Sequence, residues 1–380
     1  MANAFGIITP AGRGIKVKGL QDYRPIGAFS FLGRYRVIDF PVSNMSNSDI
    51  DRIQVYIGSN PRSLVEHLGT GRYYNINSKS GKLQLLFLEA SGLNDIYNTD
   101  LEAFEENMSF IERVNKKYVV IAPSYMVYTQ DYREMISAHE ASGADVTVLY
   151  QRVDNAKEAF RNCEVLTLTK DKSVTGIAAN DGSKKSANVS LATYVMEKDL
   201  FIELVRLGKA MSSAYTLSQT INELLGGAPD GSTLTEGLKV TAYQHKGYCA
   251  SCLDFKDYFD ANMRLLDIKE ADSLFKGGPV YTRTTDSCPT KYCEEAKVKR
   301  SMVSNGCVIR GRVENSVIGR GVKIGKGAVV KDCIVSAYVT IGDGVHVEGQ
   351  VIDKWAAVEK AKKVSSTVEN PGYISRDDRL

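Results

Sequence analysis

The sequence predicts an α/β chain with two parts, an αβα sandwich followed by a parallel β-helix. Two observations predict it. Over residues 1–255, apolar runs of strand length alternate with helix-like stretches, and buried strands alternating with helices imply a sheet covered on both faces. From residue 291 onward, aliphatic side chains recur every six positions, a period that belongs to solenoids.

The elements follow in order. Ala4–Thr9 is the first strand, an apolar run ended by Pro10, which has no amide hydrogen for a ladder. Arg52–Ile57 is the second, residues 118–122 (YVVIA) the third and residues 145–150 (DVTVLY) the fourth. Residues 100–115 and 131–141 read as helices, and the sheet reads as parallel. Residues 256–275 read as one amphipathic helix, with Tyr258, Phe259, Met263 and Leu266 at helical spacing. Gly277, Gly278, Pro279 and Pro289 make the next segment a linker. The expected units are therefore 1–255 for the sandwich, 256–290 for the connecting helix and linker, and 291–380 for the β-helix.

The β-helix reading rests on two sets of positions. Ile318, Ile324 and Val330 form one, and Val335, Ile341 and Val347 the other, each member 17 residues after its counterpart. Three hexads per coil direct each aliphatic inward. Met302, Val308 and Val313 extend the pattern upstream. The run 354–363 reads as a solvated or coil-end segment, and 376–380 as a frayed terminus. Trp355, Tyr73, Tyr74 and Tyr97 read as packing residues.

Composition narrows the function. Lys plus Arg exceeds Asp plus Glu by only three, which argues against a dedicated nucleic-acid binder. No run approaches the roughly 18 apolar residues of a membrane span. The first residues lack the pattern of a secretory signal, so a cytoplasmic protein is expected. Seven cysteines suit free thiols better than a disulfide framework. Cys249 and Cys252 form a C-x-x-C pair, but Cys288 and Cys293 lack a matching spacing, so no metal is expected there.

Several motifs carry a resemblance. Gly33-Arg34-Tyr35-Arg36-Val37-Ile38-Asp39-Phe40 with Ser43-Asn44 and Asn47-Ser48, Asp260-Ala261-Asn262-Met263, and Ser304-Asn305-Gly306-Cys307-Val308-Ile309 resemble blocks of the ADP-glucose pyrophosphorylase (glucose-1-phosphate adenylyltransferase) family. Order and spacing agree over nearly the whole chain. The resemblance implies a nucleotidyltransferase αβα domain of the GT-A/Rossmann-like kind, then a left-handed parallel β-helix. It also implies a tetramer and the synthesis of ADP-glucose and pyrophosphate from ATP and glucose 1-phosphate.

The departures from that pattern matter more. Nucleotidyl transfer needs backbone amides and cations around phosphate and Mg²⁺ held by carboxylates. Where the family has A-G-G-R-G-T-R, this chain has Pro10-Ala11-Gly12-Arg13-Gly14-Ile15-Lys16. Gly12, Arg13, Gly14 and Lys16 remain as a degraded nucleotide loop. Ser124 and Ser251 occupy the positions of the family's two metal-binding Asp residues, and serine cannot supply a carboxylate's charge to a hard dication. Asp254 is the rival for the second position. The family's E-K-P is absent from residues 177–185, and Ser190 survives as a vestige of the sugar-phosphate site. No catalytic residue is assigned.

The resemblance is strongest to the noncatalytic partner subunit of bacterial mixed tetramers in glycogen biosynthesis. It implies a partner, a catalytic subunit in which alone Mg²⁺ is expected. Self-association and binding of a sugar phosphate or nucleotide are further expectations. Alternatives are an active enzyme with relocated metal ligands, or a sugar-nucleotide-sensing scaffold. Arg24 and Arg36 match basic positions of the family's effector region. They suit an anion pocket, or a structural role in which Arg36 pairs with Asp39 or caps a carbonyl. Asp39, set in an apolar stretch, needs a partner wherever it is buried.

Overall fold

The computed structural model describes residues 2–12, 14–17, 19–76, 81–88, 99–227 and 236–380. Nine strands form the main sheet: β1 Ala4–Thr9, β2 Arg52–Ile57, β3 Lys82–Phe87, β4 Tyr118–Pro123, β5 Val146–Val153, β6 Glu164–Leu168, β7 Val174–Ala179, β8 Ala187–Glu197 and β9 Val240–Gln244. Side chains alternate between its faces, as strand geometry requires. Ala4 and Ile8 join one buried cluster, while Phe5 and Ile7 join the other. The helices covering it are α1 Asp39–Asn47, α2 Arg62–Leu68, α3 Asp100–Glu106, α4 Met108–Glu112, α5 Tyr132–Ser142, α6 Lys198–Met211 and α7 Leu217–Leu224.

The sheet is mixed rather than parallel. Strands β4, β1, β2 and β3 are parallel neighbours, but β8 runs antiparallel to β4, β5 and β6, and β6 antiparallel to β7. The connections among β5, β6, β7 and β8 are shorter than the dozen or so residues a parallel crossover needs. Strand β8 also carries a register shift between Ser190 and Thr193, with Ala192 left-handed at φ 48°. Such a bulge re-aims side chains.

Two helix expectations change. Residues 100–115 form two helices, α3 and α4, split at Asn107. Residues 256–275 form α8 Phe255–Arg264 and α9 Ile268–Phe275. Asp254 caps the first through the Lys256 and Asp257 amides, and Asp267 caps the second through the Lys269 amide. An N-cap Asp with extended backbone starts a new helix, and the apolar spacing did not reveal this break. Asn262, inside α8, accepts a hydrogen bond from the Leu32 amide. The segment after α9 lies against α1, with Ser43 Oγ accepting from the Tyr281 amide.

The C-terminal part is a parallel β-helix of three five-stranded sheets. Ile318, Ile324, Val330, Val335, Ile341 and Val347 are all buried in its core, as the hexads predict. The upstream extension needs correction. Val303 and Ile309, not Met302 and Val308, pair with Ile318 and Ile324, while Val313 pairs with Val330. Two of those offsets are 15 residues instead of 17, because the turns between Ile309 and Ile318 are shorter. The run 354–363 is part of a coil: Ala356 and Val358 are buried. The residues 376–380 are held, since Ala357 N donates to Asp378 O and Leu380 N to Ala357 O. The tail thus closes one end of the solenoid with main-chain bonds.

The flank of the β-helix packs on the sandwich through Val317, Ile334 and Val351, which join the sandwich's own core cluster. Gly33 is positioned by this docking. It is left-handed at φ 69°, and an added Cβ would stand 2.7 Å from the Ile318 carbonyl oxygen, so only glycine allows the approach.

Candidate functional site

The carboxyl ends of β1 and β4, parallel neighbours at the centre of the sheet, open on a cavity of about 520 Å³. Ligands bind at such strand ends in open α/β sheets. Thr9, Pro10, Ala11, Gly12, Gly14 and Ile15 form one wall. The Ile15 amide donates to the Gly12 carbonyl at 3.1 Å, closing a turn. A Cβ added to Gly12 or Gly14 would meet nothing within 4 Å, so these glycines leave the wall open without being forced by packing. Arg13 lies outside the described residues. Lys16 is exposed and is not among the residues lining the cavity.

The opposite wall comes from three separate elements. Strand β8 supplies Ser190, Ala192 and Tyr194, alternate residues that span its bulge. Ser190 Oγ accepts from the Ala192 amide at 3.1 Å. Helices α3 and α7 supply Asp100 and Ser218, and β6 supplies Glu164. Asp100 Oδ1 accepts from the Leu101 amide at 2.9 Å and the Leu217 amide at 3.0 Å, which joins the starts of both helices. Burial pushes the Asp100 carboxyl up to about 6 and raises that of Glu164. The Ser218 hydroxyl is buried without a partner at hydrogen-bond geometry, although Glu164 and Tyr194 lie near enough to feel it. No Lys or Arg among the described residues lines the cavity.

Ser124 and Ser251 are not on this wall. Both are buried, 6% and 2% exposed. The Ser124 amide donates to the Thr9 carbonyl, and Gly27 packs beside its side chain. Ser251 lies in a two-residue strand paired with Met126 and Val127, and its Oγ accepts from the Leu253 amide. Tyr125 and Leu253 line the cavity instead. Asp254 is occupied as the α8 cap. The residues present do not fit a divalent cation: the two expected positions hold neutral hydroxyls, and among the described residues no three His, Cys, Asp or Glu side chains converge. Cys249 and Cys252 are buried, and burial pushes the Cys249 thiol up to about 12.

A second group of charges lies where the sandwich meets the β-helix. Arg24 and Asp353 are both buried and form a bidentate pair, 2.8 Å for Nη1–Oδ1 and 2.6 Å for Nη2–Oδ2. The Tyr373 hydroxyl also donates to Asp353 Oδ2. Arg36 donates through Nη1 to the Ser63 carbonyl at 2.6 Å, and its amide donates to Asp39 Oδ2. Asp39 in turn accepts from the Tyr74 hydroxyl and lies 2.6 Å from His67 Nε2, which answers its need for partners. Lys354 stands beside Arg36 and Arg24. Burial and those guanidinium groups hold its ammonium down at about 7, and burial lowers Arg36 to about 10. Lys354, Asp353, Glu164 and Ser218 were all missed in the sequence. Asp353-Lys354 reads as ordinary coil-end polarity, and Glu164 and Ser218 belong to no motif.

Residues 5–230 match the Nucleotidyl transferase family, and residues 288–370 match GlmU-like, C-terminal hexapeptide. The chain is 33% identical over 318 residues to the glycogen biosynthesis protein GlgD of Geobacillus stearothermophilus, covering 82% of this chain and 78% of that protein. It is 28% identical over 370 residues to GlgD of Bacillus subtilis, covering 97% and 94%. It is 30% identical over 332 residues to a glucose-1-phosphate adenylyltransferase of Clostridium perfringens, covering 87% and 82%.

Proposed function

This chain belongs to the ADP-glucose pyrophosphorylase family of nucleotidyl transferases and is GlgD-like, and from that premise we propose that it is a regulatory subunit with little or no turnover of its own. It raises the activity of a catalytic partner, in a mixed tetramer, that makes ADP-glucose for glycogen synthesis in the cytoplasm. The observation that supports this most is the pair of neutral, interior serines, Ser124 and Ser251, where metal-binding carboxylates are expected. Without them the chain has no evident means of holding Mg²⁺ against a triphosphate, and each 1.4 kcal/mol of lost transition-state stabilisation costs about tenfold in rate. The test is a titration of a catalytic glucose-1-phosphate adenylyltransferase with this chain, following mass and ADP-glucose formation. The chain alone turns over little, and the mixture exceeds the partner alone. Robust turnover by the isolated chain would favour the active-enzyme alternative, and no effect on a bound partner would favour the scaffold.

We also propose that the junction around Arg36 and Lys354 is an anion site through which a phosphate-bearing metabolite acts. Arg24, Arg36 and Lys354 bring three basic groups together against the carboxylates of Asp353 and Asp39. An incoming anion would relieve that excess charge. Arg24, already paired, contributes to the field, while Arg36 and Lys354 supply the free donors.

A further inference from the structure

One face of α2 holds Arg36 at both ends. Ser63 and His67 stand four residues apart on that helix, so they share a face. The Ser63 carbonyl accepts from Arg36 Nη1 at 2.6 Å, and His67 Nε2 lies 2.6 Å from Asp39 Oδ1. Asp39 Oδ2 in turn accepts from the Arg36 amide at 2.8 Å. The Tyr74 hydroxyl, from the short turn after α2, donates to Asp39 Oδ1 at 2.6 Å. Asp39, His67 and Tyr74 are all buried. A carboxylate only accepts hydrogen bonds, so His67 carries a proton on Nε2. Burial, and after it the Asp39 carboxylate, raises the Tyr74 hydroxyl well above its ordinary value, which keeps it a donor. Asp39 thus collects an amide, a phenol and an imidazole from three stretches of chain. Losing one of them leaves a buried acceptor short of a bond, at a cost that shifts the backbone it anchors. His67 also faces two basic groups, Arg36 and, from the β-helix, Lys354.

We infer that His67 and Tyr74 are positioning residues: through Asp39 they hold Arg36 ready for an anion at the junction, and His67 makes that binding proton-linked. This rests on reading the junction as an anion site. An anion beside Arg36 and Lys354 offsets the repulsion that opposes a proton on His67. Coupling is reciprocal, so the proton on His67 strengthens the anion by the same factor. The sign follows from the surroundings. Burial, with Arg36 and Lys354, holds His67 below its ordinary value against the pull of Asp39. His67 is therefore neutral at pH 8 and takes up a proton as pH falls. Lys354, held down at about 7 by burial, Arg36, Arg24 and Arg376 against Asp353, acts in the same direction. Anion affinity thus falls as pH rises, and His67 and Lys354 each carry part of the slope.

The probe is sulfate, whose own charge does not change between pH 6 and pH 8. Calorimetric titration of the full chain gives its affinity at both. The wild-type chain binds sulfate about tenfold more tightly at pH 6 than at pH 8. His67→Leu weakens sulfate at pH 8, and His67→Gln, whose amide can donate to Asp39, recovers most of that loss. His67→Gln nevertheless narrows the gap between the two pH values by a factor of about two or more, a change that a merely structural role does not produce. Tyr74→Phe keeps the ring, weakens sulfate severalfold at both pH values and leaves the gap intact. It also carries the test of positioning if His67→Leu does not fold. The inference is overturned if His67→Gln keeps the whole gap, or if Tyr74→Phe binds sulfate as the wild type does. Equal wild-type affinity at both pH values overturns the proton linkage alone. Absence of wild-type binding at either pH removes the anion site itself, and this inference with it.

Discussion

The bidentate pair between Arg24 and Asp353 joins residues 329 apart in the chain, and it is the test of how the two parts are held together. Replacing Asp353 by Ala removes both guanidinium bonds, the Tyr373 hydroxyl bond and an acceptor for the Lys354 amide. Arg24 is then left 3% exposed with no counter-charge, next to Lys354 and Arg36. Breaking a buried pair on one side typically costs about 3–5 kcal/mol, because the stranded charge remains desolvated. Replacing both residues by apolar side chains removes the stranded charge too, so the double variant costs much less than the sum of the singles. We therefore expect a coupling energy of at least about 2 kcal/mol for the cycle built from Arg24→Met and Asp353→Leu. The chain has one tryptophan, Trp355, in the β-helix two residues from Asp353. Its fluorescence during urea unfolding reports the β-helix, while far-ultraviolet circular dichroism reports the whole chain. Additive single and double variants, or a loss below about 1 kcal/mol for Asp353→Ala, would refute the claim that this pair clamps the junction.

Other expectations follow from the same structure. Burial pushes the Asp257 carboxyl up to about 7, above its unfolded value of about 3.9. The folded chain therefore holds that proton more tightly, and the contribution is full below about pH 4 and lost as pH rises through 7. Asp257→Asn flattens this slope and stabilises the protein at pH 8 by up to about 4 kcal/mol, read by urea titrations across pH. His67, His139 and His245 run the other way. Burial lowers each of them, so their contribution is present above about pH 6.5 and lost as pH falls below it, and His139→Gln flattens part of the loss. Inorganic phosphate raises the thermal midpoint at pH 7 in the wild-type chain but not in Arg36→Ala with Lys354→Ala; an equal rise in both would remove the anion site. Gly33→Ala forces a Cβ to 2.7 Å from the Ile318 carbonyl oxygen at a left-handed position, and should cost about 1–3 kcal/mol by the same unfolding assay.

Legibility in the sequence followed the range of the physics. Ala4–Thr9 and Arg52–Ile57 are strands with the predicted bounds, because a run of inward-facing aliphatics is a local signal. The inward hexads were legible for the same reason, and the extrapolation failed only upstream of the shortened turns between Ile309 and Ile318. The splits at Asn107 and Asp267 went unseen because apolar spacing continues across a cap. Asp353 was unreadable: its partner is 329 residues away, and periodicity says which face is buried but not which charges meet there. The cavity was half legible. Gly12, Gly14 and Ser190 were placed in it, whereas Ser124 and Ser251 turned out to lie behind its wall, and Asp100, Glu164 and Ser218 reach it from three elements without a shared motif.

The two groups of charges bear on the proposal that this chain serves a catalytic partner. In an enzyme acting on a triphosphate, cations and a metal belong at the carboxyl ends of the central strands. Here the described charge at those ends is acidic, and cations gather instead at the junction of sandwich and β-helix, around Lys354. That junction is where a ligand has leverage, since Arg24 from the sandwich and Asp353 from the β-helix already meet there. If the junction binds an anion as proposed, drawing Lys354 and Arg36 together would change the charge balance on the clamp itself and the stiffness with which the two parts are joined. The distribution of charge thus fits a subunit that transmits a signal better than one that transfers a nucleotidyl group.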